Sequence, residues 1–399
     1  MSFYRIPSPL EFTYIAADLP HYSPIVNQFF VIGEGDVEAD RLRAALAVAV
    51  EANPGFKLRL SGYWGWRRWV EGLVPTVEEL DAPDWDSATS DNAPLLGNPI
   101  DLRHESPCQI AKIRTASGLH ILFRTHHAIT DGRGTVHLMN EVFRVLRGEA
   151  PMGSESKMTE WDIAMREERP ELTIAVSDDC LPVIKGSVRE ELSGCQWARF
   201  DWKGDKNKFA AKMIYACTQL AYQHFDEGRV AFRIPADLRR YMSEEEGFTV
   251  ANCSGAIDLE VSKDTKLNEI RSQIVRAMRQ KMDLAPFRDN HKYAKWLPKA
   301  MFRVHPDSLK RMHRQQRYRG SGVISYLGEV NNDMFSCDGF VPFSQFGVPI
   351  PFESKSIYVA ACSYNDTTNI IIGCPRAACT MTELKAFCQE LSHTLDGLK

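Results

Sequence analysis

The sequence lacks the marks of several protein classes. It has no Cys-x-x-Cys pair; its ten cysteines are scattered, the closest two being Cys374 and Cys379. A disulfide framework belongs to short secreted chains, so a reduced, cytoplasmic protein is expected. No stretch reaches the roughly 18 uninterrupted apolar residues of a membrane-spanning helix. The opening Met-Ser-Phe-Tyr-Arg-Ile-Pro-Ser-Pro has no charged segment followed by an apolar one, so no secretory signal is read there. Neither sign of charge dominates: 48 Lys and Arg against 52 Asp and Glu leave a net −4, and nothing points to a nucleic-acid partner. There is no P-loop-type glycine-rich phosphate loop and no visible internal repeat.

What is present is an ordinary globular composition, 44% hydrophobic and 25% charged over 399 residues, enough for one large domain or two medium ones. Residues 28–32 read as a strand. Asp36 reads as the N-cap of a helix running to about Ala52, with Leu42, Ala45, Leu46, Ala49 and Val50 on one face. Phe56–Leu60 alternates as a strand, and the aromatic run 62–71 continues it as a hairpin whose rings are read as packing. Residues 81–107, rich in Asp, Pro, Ser and Asn, read as a long surface connection. Two strands follow, Gln109–Thr115 and Leu119–Thr125, and then a helix over 134–147. Residues 149–194 lose all period and divide the chain nearly in half. Helices capped by Asp205 and Asp264, strands at 229–234, 250–261 and 322–327, and a hairpin about Asn365-Asp366 make up the second half. A last helix opens on the capping box Thr380/Glu383. Strands and helices alternate in both halves, which gives an α/β protein of two lobes, with 1–175 as the N-terminal lobe, 176–194 as linker and 195–399 as the C-terminal lobe.

Between the strand ending at Thr125 and the following helix stands His126-His127-Ala128-Ile129-Thr130-Asp131-Gly132. A strand-to-helix turn can hold polar side chains rigid and accessible. A neutral imidazole there can take a proton from a hydroxyl or amine as that group attacks a carbonyl. Two histidines and a carboxylate are also familiar metal ligands, but adjacent residues of an extended segment point to opposite faces, and no metal is assigned.

The pattern H-H-x-x-x-D-G resembles the motif of the acyltransferase superfamily that includes chloramphenicol acetyltransferase, condensation domains of peptide synthetases, alcohol acetyltransferases and polyketide-associated acyltransferases. The resemblance runs from about residue 25 to the end. It implies two similar chloramphenicol acetyltransferase-like lobes with an active-site tunnel between them. It implies His127 as general base, His126 shaping the turn, Asp131 in a structural salt bridge to an arginine of the other lobe, and Gly132 permitting the tight turn. Asp237-Leu238-Arg239 is similar to the family's D-x-R segment, so Arg239 is the expected partner of Asp131, with Arg240 as the fallback. Asn252 falls where relatives carry Gly-Asn, although Ala251 precedes it here. Ser325-Tyr326-Leu327-Gly328 resembles a strand-end Ser-x-x-Gly, which makes Ser325 a tunnel residue. Gln345-Phe346-Gly347 is similar only in part to D-F-G-W-G of the plant enzymes and is assigned no site.

The function implied is transfer of an acyl group from a thioester to an alcohol or amine, direct and without an acyl-enzyme. No cofactor is permanently bound; acyl-CoA or a phosphopantetheine thioester is the co-substrate, and an acyl carrier protein is a possible partner. The basic segment Lys310–Arg319 is one place where their phosphates could be met. A monomer is expected. The alternatives are a catalytically silent adaptor that binds a carrier protein or small molecule, and a metal-dependent oxygenase or hydrolase.

Overall fold

A computed structural model describes residues 3–18, 23–95, 97–171, 179–298, 301, 304–350 and 352–398. In chain order the first half comprises β1 (Tyr4–Arg5), α1 (Pro9–Ala17), β2 (Val26–Gly35), α2 (Ala39–Ala52), β3 (Leu58–Ser61), β4 (Arg68–Glu71), β5 (Thr76–Asp81), β6 (Cys108–Thr115), β7 (Gly118–His126), α3 (Gly132–Leu146) and α4 (Glu160–Arg166). The second comprises β8 (Cys195–Trp202), α5 (Phe209–His224), β9 (Val230–Asp237), β10 (Ser254–Val261), α6 (Leu267–Arg279), α7 (Pro306–Gln315), β11 (Gly322–Glu329), β12 (Phe340–Val348), β13 (Ile357–Tyr364), β14 (Thr367–Pro375) and α8 (Met381–Asp396).

Two large sheets organise the molecule, one per lobe. The first has the order β12-β2-β7-β6-β5, the second β10-β9-β11-β13-β14-β8, and a small third sheet joins β1, β4 and β3. On one face of the first sheet α2 buries the stripe expected of it, and its Leu42, Leu46 and Val50 close with Leu138, Val142 and Phe143 of α3 on Val31, Ile121 and Phe123. In the second lobe, α5, α6 and α8 cover Phe232, Ile324, Val359 and Ile370 in the same way. A third core fills the space between the lobes, where Phe30, Ile113 and Leu122 of the first sheet meet Trp197 and Ile371 of the second. The fold is therefore α/β and two-lobed, as read from the alternation of elements.

Several expectations need correction. The first lobe is not built from residues 1–175 alone, because β12 crosses from the second half to pair antiparallel with β2. Its sequence hides this. Val341 and Phe343 are exposed while Phe340 and Phe346 are buried, and Pro342 and a register shift between Pro342 and Ser344 interrupt the pattern, as an edge strand tolerates. Residues 176–178 of the expected linker lie outside the described residues. Further along it, Leu181 and Val183 are buried in the second core, so this stretch is packed and not a free connection. The stretch 81–107 is not merely surface: Trp85, Thr89, Ile100 and Leu102 are buried, and Thr89 bridges to Ala198 of β8. Helix starts also shift. Asp36 bonds the N–H of Val37 while α2 begins three residues later; α5 follows Lys208 and α6 follows Lys266, not Asp205 and Asp264. Among the described residues no helix is long and apolar enough to cross a membrane.

Candidate active site

The central strand β7 delivers the motif. It pairs with β2 on one side and β6 on the other, and its last residue, His126, is fully buried. The chain then turns and starts α3, with Asp131 as N-cap accepting the N–H of Gly134 at 2.9 Å. This short turn between two packed elements fixes both histidines.

His126 is held from both ring nitrogens. Its Nδ1 accepts the N–H of Ala128 at 3.1 Å, so Nε2 carries the proton and donates to Asp18 Oδ2 at 3.2 Å. With both nitrogens occupied, it braces the turn. His127 is held differently. Its backbone N–H donates to Ile25 O at 2.9 Å, and its carbonyl accepts Asn252 Nδ2 at 2.7 Å. Its ring Nδ1 lies 3.2 Å from Thr130 O, an acceptor only, so Nδ1 bears the proton and Nε2 of the neutral ring keeps a lone pair. Burial depresses the imidazole to about 4, against a partial upward pull from Asp131. The ring is therefore neutral at pH 7 and can accept a proton. The edge-on ring of Tyr14 packs 4.4 Å from it, and Phe352 stacks behind Tyr14 at 6.2 Å.

Asp131 is saturated. Besides the Gly134 N–H it accepts Cys253 N–H at 2.7 Å and two Arg239 N–H groups at 3.0 and 3.2 Å. Burial alone would raise this carboxyl; the Arg239 guanidinium, with the two backbone N–H groups, holds it below the usual carboxylate range. Arg239 in turn uses all five donors, two on Asp131 and one each on Asp237, Thr249 O and Ala251 O, and Phe248 lies over its face. No donor or acceptor of this pair is left for a substrate. Arg240, the fallback, bonds Asp283 instead.

The structure thus brings His126, His127, Asp131, Arg239 and Asn252 together. Asn252 also accepts the N–H of Ser254 through Oδ1. Gly132 is present, but not for the reason expected: its φ is not positive and an added Cβ would find only ordinary contacts, 3.5 Å to Leu327 and 3.6 Å to Phe29. The glycine the turn requires is Gly134, where a Cβ would fall 1.9 Å from Thr130 Oγ1 and 2.9 Å from Val250 O. Ser325 sits on β11 with its neighbours Ile324 and Tyr326 turned into the second core; two residues on, Leu327 is the side chain beside Gly132. The basic segment falls on and after α7, where Arg314 pairs with Glu190 and Arg317 with Asp179. Among the described residues there is no cluster of three or more side chains suited to hold a metal.

Sequence reasoning missed α1, which carries Tyr14 and leads to Asp18. The signal was there: Ser8-Pro9-Leu10-Glu11 is a capping box with proline in the first turn, a helix start by rule. It also missed Arg233, which Asp258 holds in a cross-strand bidentate pair on β9 and β10 at 2.8 Å; burial pushes the Tyr14 hydroxyl up to about 12 and the Arg233 charge draws it partly back.

No family model matches the sequence, and no curated protein matches it. Solved structures do. The condensation domain of the Monacolin K polyketide synthase MokA superposes with a TM-score of 0.65 at 10% identity, covering 99% of this chain and 97% of that one. The starter condensation domain of rhizomide synthetase RzmA, in a variant complexed with C8-CoA and Leu-SNAC, gives 0.65 at 13% identity over 99% and 94%. The epimerization domain of tyrocidine synthetase B, TycB3(E), gives 0.56 at 13% identity over 100% and 97%. The chain has the two-lobed condensation-domain fold along its whole described length.

Proposed function

We propose that this protein is an acyltransferase that moves an acyl group from a thioester, acyl-CoA or an acyl-carrier phosphopantetheine, to an alcohol or amine, with His127 as general base in a direct ternary complex. The observation that carries the reading is the state of His127: neutral, with Nδ1 engaged by Thr130 O and Nε2 left with a lone pair. In the proposed step His127 Nε2 takes the proton of the acceptor hydroxyl or amine as its oxygen or nitrogen attacks the thioester carbonyl. The tetrahedral intermediate then expels the thiolate, which takes up that proton and leaves as the thiol. General-base catalysis contributes on the order of 10²–10⁴-fold, and alignment of the two substrates in channels between the lobes supplies much of the rest. Asp131 and Arg239 hold the turn and do not touch substrate, and Ser325 lines the channel. The enzyme works as a cytosolic monomer with no resident cofactor or metal.

The test is release of free thiol. Wild type and His127→Ala are incubated with a series of acyl-CoAs, with and without a panel of alcohols and amines, and then with an acylated carrier protein. Release that needs both an acceptor and His127 supports the reading. Undiminished release by His127→Ala sinks the assignment of the base, and no release with any donor favours the silent adaptor.

A further inference from the structure

Away from the motif turn, a surface cavity of about 320 Å³ opens at the start of α1 and is walled by α4 and the short helical segment Asp289–Trp296. Its lining is cationic and aromatic, with Lys157, Lys292, Lys295 and Arg5 around Trp161 and Phe12. The charges are not equivalent. Arg5 is buried and paired with Glu11, and its Nη2 also reaches Ile129 O of the motif turn. Lys157, Lys292 and Lys295 have no carboxylate partner among the described residues; each lies only against aromatic rings, Phe3 and Tyr4, Tyr293, and Trp296 respectively, at 5.0–5.8 Å. The one carboxylate on the lining, Asp162, already accepts the N–H and hydroxyl of Thr159. His291, also on the wall, is held below its ordinary value by burial and by Arg288, so it is neutral and adds no charge at pH 7. Three lysines on one lining, none of them neutralised by a carboxylate partner among the described residues, give the cavity a positive field that favours an anion. The hydroxyls of Ser8 and Thr159 are engaged in helix caps, which leaves the ammonium groups as the donors. Compact point-charge donors of this kind suit phosphate oxygens.

We propose that this cavity is an anion-binding site for a phosphate-bearing ligand, a phosphate monoester or diphosphate, held by Lys157, Lys292 and Lys295. The site is separate from His127 and does not depend on the acyl-transfer reading.

The experiment is a titration of the full chain with inorganic pyrophosphate, followed by calorimetry and by tryptophan fluorescence, with Trp161 as reporter on the wall. A second arm measures sedimentation with phosphatidylcholine vesicles, with and without phosphatidic acid. The variants are Lys292→Ala/Lys295→Ala and Lys292→Arg/Lys295→Arg; neither lysine side chain makes a hydrogen bond or ion pair among the described residues, so both should melt like wild type. Saturable pyrophosphate binding, weakened at least tenfold by the alanine pair, kept by the arginine pair and lowered by salt, supports a soluble ligand. Binding only to phosphatidic acid vesicles, lost in the alanine pair, supports the same site with a lipid headgroup as its source. No binding in either arm, or binding that the alanine pair leaves unchanged, overturns the proposal. His127→Ala should bind pyrophosphate as wild type does, which keeps this outcome distinct from that of the thiol assay.

Discussion

Breaking the Asp131–Arg239 pair from each side, and then from both, tests the structural role given to Asp131. Arg239→Ala strands a buried carboxylate on two backbone N–H groups and leaves the carbonyls of Thr249 and Ala251 without their donor. Removing one partner of a buried ion pair costs about 3–5 kcal/mol. Asp131→Ala removes the N-cap of α3, worth about 0.5–2 kcal/mol, and leaves Gly134 and Cys253 N–H groups unmet, but Arg239 keeps Asp237 and both carbonyls. It should therefore be the milder single change, at about 3 kcal/mol. The double variant has no stranded charge at this site, so its loss should fall short of the sum by about 2–3 kcal/mol, at the upper end of couplings seen between touching residues. Urea unfolding of the four proteins gives the cycle directly, from midpoints at a common slope. Additivity within about 0.5 kcal/mol, or singles each costing under about 1 kcal/mol, would refute the reasoning. Lost turnover with an unchanged melt would instead make Asp131 a participant in the chemistry.

Three further outcomes follow from the same geometry. With His127 depressed to about 4 by burial, kcat/KM should be flat from pH 6 to 8 and fall only as the base is protonated near pH 4; an acid limb at pH 6.5, the ordinary histidine value, would contradict this. Stability should pass through a maximum near pH 6.5. The buried His120, His137 and His313 are all depressed to about 4, so the unfolded chain binds more protons below 6.5 and stability falls as pH drops from 6.5 towards 4. Glu160 is raised to about 8, first by burial and then by the neighbouring Glu11; the folded state keeps this proton, so stability falls as pH rises from about 4.5 towards 8, by up to about 1.4 kcal/mol per unit, and Glu160→Gln should flatten that limb in melts at pH 7 to 9. Gly134→Ala should cost about 1–3 kcal/mol by overpacking against Val250 O, and Gly132→Ala under about 1 kcal/mol; equal losses in denaturant melts would show that the motif glycine is needed for its backbone.

How legible this was depended on where the ordering information lies. β7, α3, α8 and the 357–373 hairpin carry their own period or cap, and they stand within a residue or two of where the sequence put them. β12 does not, because an edge strand buries alternate residues on one side only and here contains a proline and a register shift. The helix starts moved for a local reason. Asp205 and Asp36 spend their carboxylates on Lys212 and Lys112, which leaves other residues to start α5 and α2. The stretch 81–107 looks polar, yet Trp85 plugs the gap between the lobes and Leu102 packs against Leu58, Trp69 and Ile129, and no periodic rule registers isolated residues of that kind.

The site divides along the same line. His126, His127 and Asp131 are contiguous and could be found by pattern. What holds them comes from afar: Asp18 and Tyr14 on α1, then Arg239, Asn252 and Cys253 around the ends of β9 and β10. Arg239 and Asn252 were reached through resemblance, not through spacing, since residues more than a hundred positions apart leave no periodic trace of their contact. The structure adds the physical reason the resemblance does not contain. The motif turn belongs to the first lobe, but its deepest charge and its outward carbonyl are both satisfied by the second. The turn can therefore keep its geometry only while the lobes stay docked, and any motion that opens a passage between them must also carry Asn252 away from His127 or leave the β9–β10 end behind with the motif. The saturated Asp131–Arg239 pair, with no donor to spare, ties the end of β9 to the motif turn, and with Asn252 on the His127 carbonyl it is what the second lobe contributes to holding the base in place.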